Sequence, residues 1–265
     1  MTRLSRQLSL MCLLLLSSSV VFASATGDDT STYRIVLFLH QLLLVLWLGP
    51  DIGVYMWSTK LTNPECTPAQ RVAAARIMSS IDIIPKVCMS LMLTVGGTLT
   101  ELMGIEHPWW QMAGIWMLGP VWLMLTLLVY IKSDTEVGAR LARLDIFFRW
   151  LVLLSVLASV ALSLATDRLG DTPWITGKIL LFAAIVFFSI MMRIRLQPLA
   201  GAVNELETNG PNTGIDEQIN SCISRARLFM FATWIALALA AGLGMVQPGD
   251  KSIHEYEEVL NFPAE

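Results

Sequence analysis

The chain is 265 residues long, 55% hydrophobic and 15% charged, with a formal net charge of −3 and a mean hydropathy of +0.61. A soluble domain of this length carries about a quarter charged residues, so an ordinary cytosolic enzyme, a disordered chain and a small disulfide scaffold are excluded. The four cysteines, Cys12, Cys66, Cys88 and Cys222, form no tight CxxC pair and indicate neither a structural zinc site nor a disulfide framework.

Residues 1–25 read as a secretory signal, with Arg3 and Arg6 before an apolar stretch from Leu8 to Phe22 and an A-x-A exit at Ala23-Ser24-Ala25. The rival reading is an uncleaved first helix. Either way Thr26 emerges on the outer side. The block 26–247 then reads as a six-helix transmembrane domain, and 248–265 as an external tail. Its spans are expected at 33–57, 81–103, 112–131, 146–166, 174–195 and 227–247, since about 20 helical residues cross about 30 Å of hydrocarbon. Continuous apolarity without strand-length alternation favours helices over a barrel. The fold class is therefore an all-α membrane protein, a polytopic helical bundle.

Between spans, Pro68 to Ser80 reads as a short amphipathic helix, with Thr67 as its N-cap and Pro68 at the first helical position. His107-Pro108-Trp109-Trp110 reads as an external turn whose indoles sit at headgroup level. The stretch from Asn204 to Gln218 is polar and rich in turn formers, and is expected to be a mobile connector. Gly96-Gly97, Ala158-Ser159 and Ala240-Ala241-Gly242 are small enough to let helices approach closely.

Charge sets the orientation. Lys60, Arg71, Arg76, Lys132, Arg140, Arg143 and Arg225 occupy loops 58–80, 132–145 and 196–226, and Lys86, Arg149, Arg193, Arg195 and Arg227 lie at adjoining helix ends. The opposite loops, 104–111 and 167–173, hold only Arg168 against Glu106, Asp167 and Asp171. The positive-inside rule puts both termini outside, in a bacterial cytoplasmic (inner) membrane.

Polar groups inside the spans carry the functional signal, because a charge or imidazole in hydrocarbon pairs, snorkels or lines a site. His40 is seven residues into the first span. Trp47 and Asp51 follow at seven and eleven residues, so all three return to within about 20° of one another on a helix. The imidazole reads either as a ligand for haem iron or copper, or as a histidine hydrogen-bonded to a neighbouring helix. Lys178 enters the fifth span near its outer end, where it either snorkels or holds an anion. Asp82 and Lys86 stand at i and i+4 and can pair, with Asp51 as another partner for Lys86; Asp145 and Arg149 repeat the spacing. Cys88, Met89 and Met92 offer soft sulfur for Cu(I), but Cys88 and Met89 diverge by about 100° and methionine is common apolar filler. His107 and His254 are both placed outside, so a bis-histidine haem within one chain is not available.

No nucleotide-binding or H-E-x-x-H pattern is present, and the basic residues flank membrane helices, so no nucleic-acid partner is expected. Membrane lipids are expected partners, with a homo-oligomer or a second membrane subunit as further ones.

His40, Trp47 and Gly49 resemble the opening helix of the HemJ/CopD-like bacterial integral membrane proteins. Thr176-Gly177-Lys178-Ile179-Leu180-Leu181-Phe182 is similar to their late helix. The resemblance implies a compact helical bundle, with haem b binding and protoporphyrinogen oxidation on one side of the group and copper movement on the other. It carries His40 over as haem or metal ligand and Lys178 as the basic membrane residue of the cofactor site. Three functional classes follow: a haem-associated redox protein or oxidase, a copper or small-solute transport component, and a non-catalytic membrane subunit.

Overall fold

A computed structural model describes residues 29–105, 107–133 and 135–250. The expected signal segment, His254 and most of the tail lie outside the described residues. Among those described there is no strand, and the helices are α1 (Asp29–Thr62), α2 (Pro68–Ile81), α3 (Ile83–Leu102), α4 (Trp109–Ile131), α5 (Glu136–Ala165), α6 (Pro173–Leu196), α7 (Leu199–Asn209) and α8 (Thr213–Val246). Six stretches among the described residues are long and apolar enough to cross a membrane: 31–62, 68–102, 109–131, 136–165, 173–209 and 213–246. Large apolar side chains such as Phe38, Val45, Met117, Leu154 and Ile235 point outward, as they do when hydrocarbon is the solvent. The chain is a multi-pass, all-α membrane protein.

Local chemistry sets the helix ends. Thr67 Oγ1 accepts from the Gln70 N–H at 3.3 Å while Gln70 Oε1 accepts from the Thr67 N–H at 2.9 Å, a reciprocal box that starts α2 with Pro68 at its first position. Gly104 turns left-handed (φ +82°) after α3, where its N–H reaches Glu101 O at 3.0 Å.

The chain forms two compact units. Among the described residues the first comprises 29–61 and those of 73–145, and the second 62–72 and 146–250. In the first unit α3 and α4 pack closely. A Cβ on Gly97 would stand 2.6 Å from Ile115 Cγ2, and one on Gly119 would fall onto Thr94 Oγ1. Pro120 interrupts the α4 hydrogen-bond ladder, and nearby Thr94 Oγ1 donates to the Ile115 carbonyl at 3.1 Å. Trp116 Nε1 donates to Thr98 Oγ1 at 3.2 Å in the same seam. Val87, Leu123 and Leu127 form a buried apolar cluster beneath it.

In the second unit the chief pairing is α6 on α8, where Gly177 comes close to Leu243. Helix α7 also packs on α8, and Arg71 Nη1 donates to Asp216 Oδ1 at 2.7 Å, fastening the start of α2 to the start of α8.

Several expectations need correction. The connector 204–218 is almost wholly helical, reduced to a turn at 210–212. Leu199, Ala202 and Leu206 form a buried stripe at helical spacing, as do Ile215, Ile219 and Ile223. Gly210 (φ +77°) ends α7, and Asn212 Oδ1 accepts from the Ile215 N–H at 2.9 Å to begin α8. Trp109 and Trp110 do not lie in a turn: they open α4, both exposed. Helices α5 and α8 begin ten and fourteen residues before the spans expected at 146–166 and 227–247. Gly97 does mark a close approach, but Gly119 and Gly244 mark the others. Ala158 is exposed, and a Cβ on Gly242 would meet nothing within 4 Å.

Candidate functional site

Helix α1 presents one buried stripe through Val36, Leu43, Trp47, Asp51, Ser58 and Leu61. Trp47 and Asp51 lie on it as their spacing predicts, with the half-buried His40 one turn before Leu43. The imidazole rests against α3. A Cβ built on Gly96 would stand 3.5 Å from His40 Cε1 and 3.8 Å from Nδ1, which is ordinary contact. A glycine at 96 thus leaves the ring room beside the α3 backbone, with the Nδ1–Cε1 edge turned toward it. Nothing in the sequence announced this partner, 56 positions away.

The neighbouring charges in the first unit are engaged. Lys86 is hydrogen-bonded to Asp82, the expected i,i+4 pair, at the junction between α2 and α3. His107, placed by sequence in a free external turn, has Nδ1 2.7 Å from Glu101 Oε2 and Nε2 3.4 Å from Thr100 Oγ1. It is a clasp between the end of α3 and the loop before α4. Cys88 and Met89 are buried in α3, while Met92 is half-buried. Among the described residues no group of three or more His, Cys, Asp or Glu side chains converges as a metal centre would require.

Lys178 belongs to the second unit, on the first turns of α6. Its ammonium stands 5.5 Å from the Trp174 ring centroid, and a Cβ on Gly244 of α8 would lie 2.7 Å from Nζ. Trp174 Nε1 donates to Asp250 Oδ2 at 3.0 Å, with both residues buried. Sequence spacing alone pointed to neither Gly244 nor Asp250. A cavity of about 190 Å³ at the α5–α6 turn, bordered by Ser163, Asp167, Pro173 and Thr176, also went unforeseen. It is smaller than the ~300 Å³ at which drug-sized ligand sites begin. Thr176 and Lys178 are about 200° apart on α6, so the cavity and the ammonium use different faces.

Asp145 and Arg149, expected near the start of the fourth span, are instead both buried well inside α5. Arg149 Nη1 donates to Ser189 Oγ at 3.0 Å, and that hydroxyl donates to the Val186 carbonyl at 2.7 Å. Comparison with known proteins finds no family model, no curated protein and no solved structure that matches this chain.

Proposed function

We propose that the chain is a haem-associated redox protein of a bacterial cytoplasmic membrane, with His40 as its single protein ligand to iron. The observation that carries the reading is the His40 imidazole within a membrane-length helix, seated against Gly96 on the helix face that Trp47 and Asp51 share. Imidazole nitrogen is a fitting donor for haem iron. His40 would hold a haem b, and another ligand type or a second subunit would complete the site. When bound, haem supplies one-electron chemistry. The protein's part is to hold the ring, orient it through the α1–α3 contact and keep the surroundings apolar. The likeness of the His40–Gly49 and Thr176–Phe182 segments to HemJ/CopD-like proteins supports the same reading.

A copper or small-solute transport role draws less support, because no group of three or more His, Cys, Asp or Glu side chains converges among the described residues. The non-catalytic subunit reading is favoured by a specific observation: Asp82–Lys86, Glu101–His107 and Arg71–Asp216 are paired with one another within the chain.

The test is an absorption spectrum with metal analysis of the detergent-purified chain, expressed with haem and copper in excess, beside His40→Ala. A b-type haem spectrum is expected from the parent, falling at least tenfold in the variant. Unchanged haem in His40→Ala removes His40 as ligand. Copper without haem favours transport, and neither cofactor favours the structural subunit.

The proposed orientation, N- and C-termini outside, rests on the basic residues at loops 58–80, 132–145 and 196–226. Cys66 is the usable reporter, since it is half-exposed whereas Cys222 is buried. A membrane-impermeant maleimide is expected to leave Cys66 unlabelled in intact cells and to label it in inside-out vesicles. Labelling from outside reverses the topology.

A further inference from the structure

The second unit holds an ammonium inside a membrane-length helix, with no ion-pair partner among the described residues. Lys178 is the sixth residue of α6, about 7.5 Å along the helix from Pro173. Its side chain runs back over Trp174, four residues earlier and one turn nearer the helix start. Among the described residues Lys178 makes no ion pair and no hydrogen bond. The carboxylate in its neighbourhood, Asp250, is turned to the Trp174 indole N–H instead. The ammonium sits where a side chain at 244 would begin: any residue larger than glycine would place a carbon 2.7 Å from Nζ. Gly244 and Trp174 together thus hold the charge at a defined place on the α6–α8 seam rather than leaving it free to wander.

An unmatched ammonium a few ångströms below the headgroup level, set in an apolar surface, has the chemistry of a phosphate seat. The surface beside Gly244 is apolar and exposed, with Met245 and Val246 ending α8. Such a rim accepts acyl chains, which a free anion does not need. The positive end of the α6 dipole lies at the same level and adds to the attraction. We propose that Lys178, Trp174 and Gly244 form a binding site for the phosphate of an anionic membrane phospholipid, with Met245 against its acyl chains.

The test reads retained lipid and is separate from the haem measurement. The full chain would be purified from membranes, reconstituted with equal phosphatidylglycerol and phosphatidylcholine, and washed in mild detergent. Retained lipid would then be counted by native mass spectrometry. The parent is expected to keep phosphatidylglycerol several-fold over phosphatidylcholine, and Lys178→Arg to keep most of that preference. Lys178→Met is expected to lose it. Gly244→Ala leaves the net charge unaltered but displaces Nζ, and is expected to weaken retention as well; it carries the test if Lys178→Met fails to fold. A preference equal to the parent's in both Lys178→Met and Gly244→Ala overturns the site. Displacement of the retained lipid by millimolar inorganic phosphate, with the same protection against thermal unfolding, overturns the lipid assignment in favour of a free anion.

Discussion

Gly119→Ala is expected to destabilise the protein by about 3 kcal/mol, the upper end of the usual cost of overpacking a close-packed seam. The added methyl would fall onto Thr94 Oγ1 and stand 3.1 Å from Thr94 Cβ and 3.2 Å from the Ser90 carbonyl oxygen. A backbone oxygen cannot step aside as a flexible side chain can, so α3 and α4 must separate. Separation would also strain the bond from Thr94 to the Ile115 carbonyl. Gly114, in the same helix, is the internal control: a Cβ there meets nothing within 4 Å, so Gly114→Ala is expected to be neutral or stabilising by about 0.5 kcal/mol. Unfolding of the purified protein in mixed micelles with increasing sodium dodecyl sulfate measures both. Thr94→Ala in the Gly119→Ala background removes the colliding oxygen and should recover part of the loss. Equal midpoints for the two glycine variants would show that the seam yields freely.

Arg149→Ala is the second substitution of this size. The arginine is 1% exposed, and its guanidinium donates to the Ser189 hydroxyl inside the second unit. Truncation leaves a void the length of the side chain and removes the donor from its acceptors, at a cost of about 3 kcal/mol. Arg149→Met fills much of the void without restoring a donor, so its expected cost is smaller, about 1–2 kcal/mol. Ser189→Ala isolates the single hydrogen bond at about 1 kcal/mol. The same detergent titration ranks the three. An alanine variant within 1 kcal/mol of the parent would contradict the packing role of Arg149.

The sequence made the hydrocarbon-facing part of the protein legible because lipid imposes one rule on every span. The charge-free block 112–131 became α4 with three more residues at its start. Outside the hydrocarbon that rule lapses. The stretch from Asn204 to Gln218 looked like a connector because composition counts Asn, Gly and Pro without regard to place. The period carried by Leu199, Ala202 and Leu206, and again by Ile215, Ile219 and Ile223, was the better signal. A polar helix is stabilised by one buried stripe, and mean polarity hides it.

The candidate sites divide the same way. His40, Trp47 and Asp51 could be placed on one face by angle alone, since they share a helix. Gly96 beside His40 and Gly244 beside Lys178 could not, because helix pairing across many residues leaves no local pattern. The Asp82–Lys86 pair was readable as an i,i+4 contact, whereas the His107–Glu101 clasp depends on how the chain turns at Gly104. Absence of a carboxylate partner for Lys178 among the described residues is likewise a property of packing alone.

Helix α8 joins two features that lie far apart in the protein. Asp216, clasped by Arg71, stands near its beginning, and Gly244, beneath the Lys178 ammonium, near its end. No proline interrupts the 28 positions between them, so they are about 42 Å apart along one uninterrupted rod. A rod of that length is a lever. A tilt of about 10° pivoting at the Arg71 clasp displaces the Gly244 end by about 7 Å, further than one helical turn. The position of Gly244 in the α6–α8 seam is therefore linked along one helix to the guanidinium–carboxylate contact at Asp216.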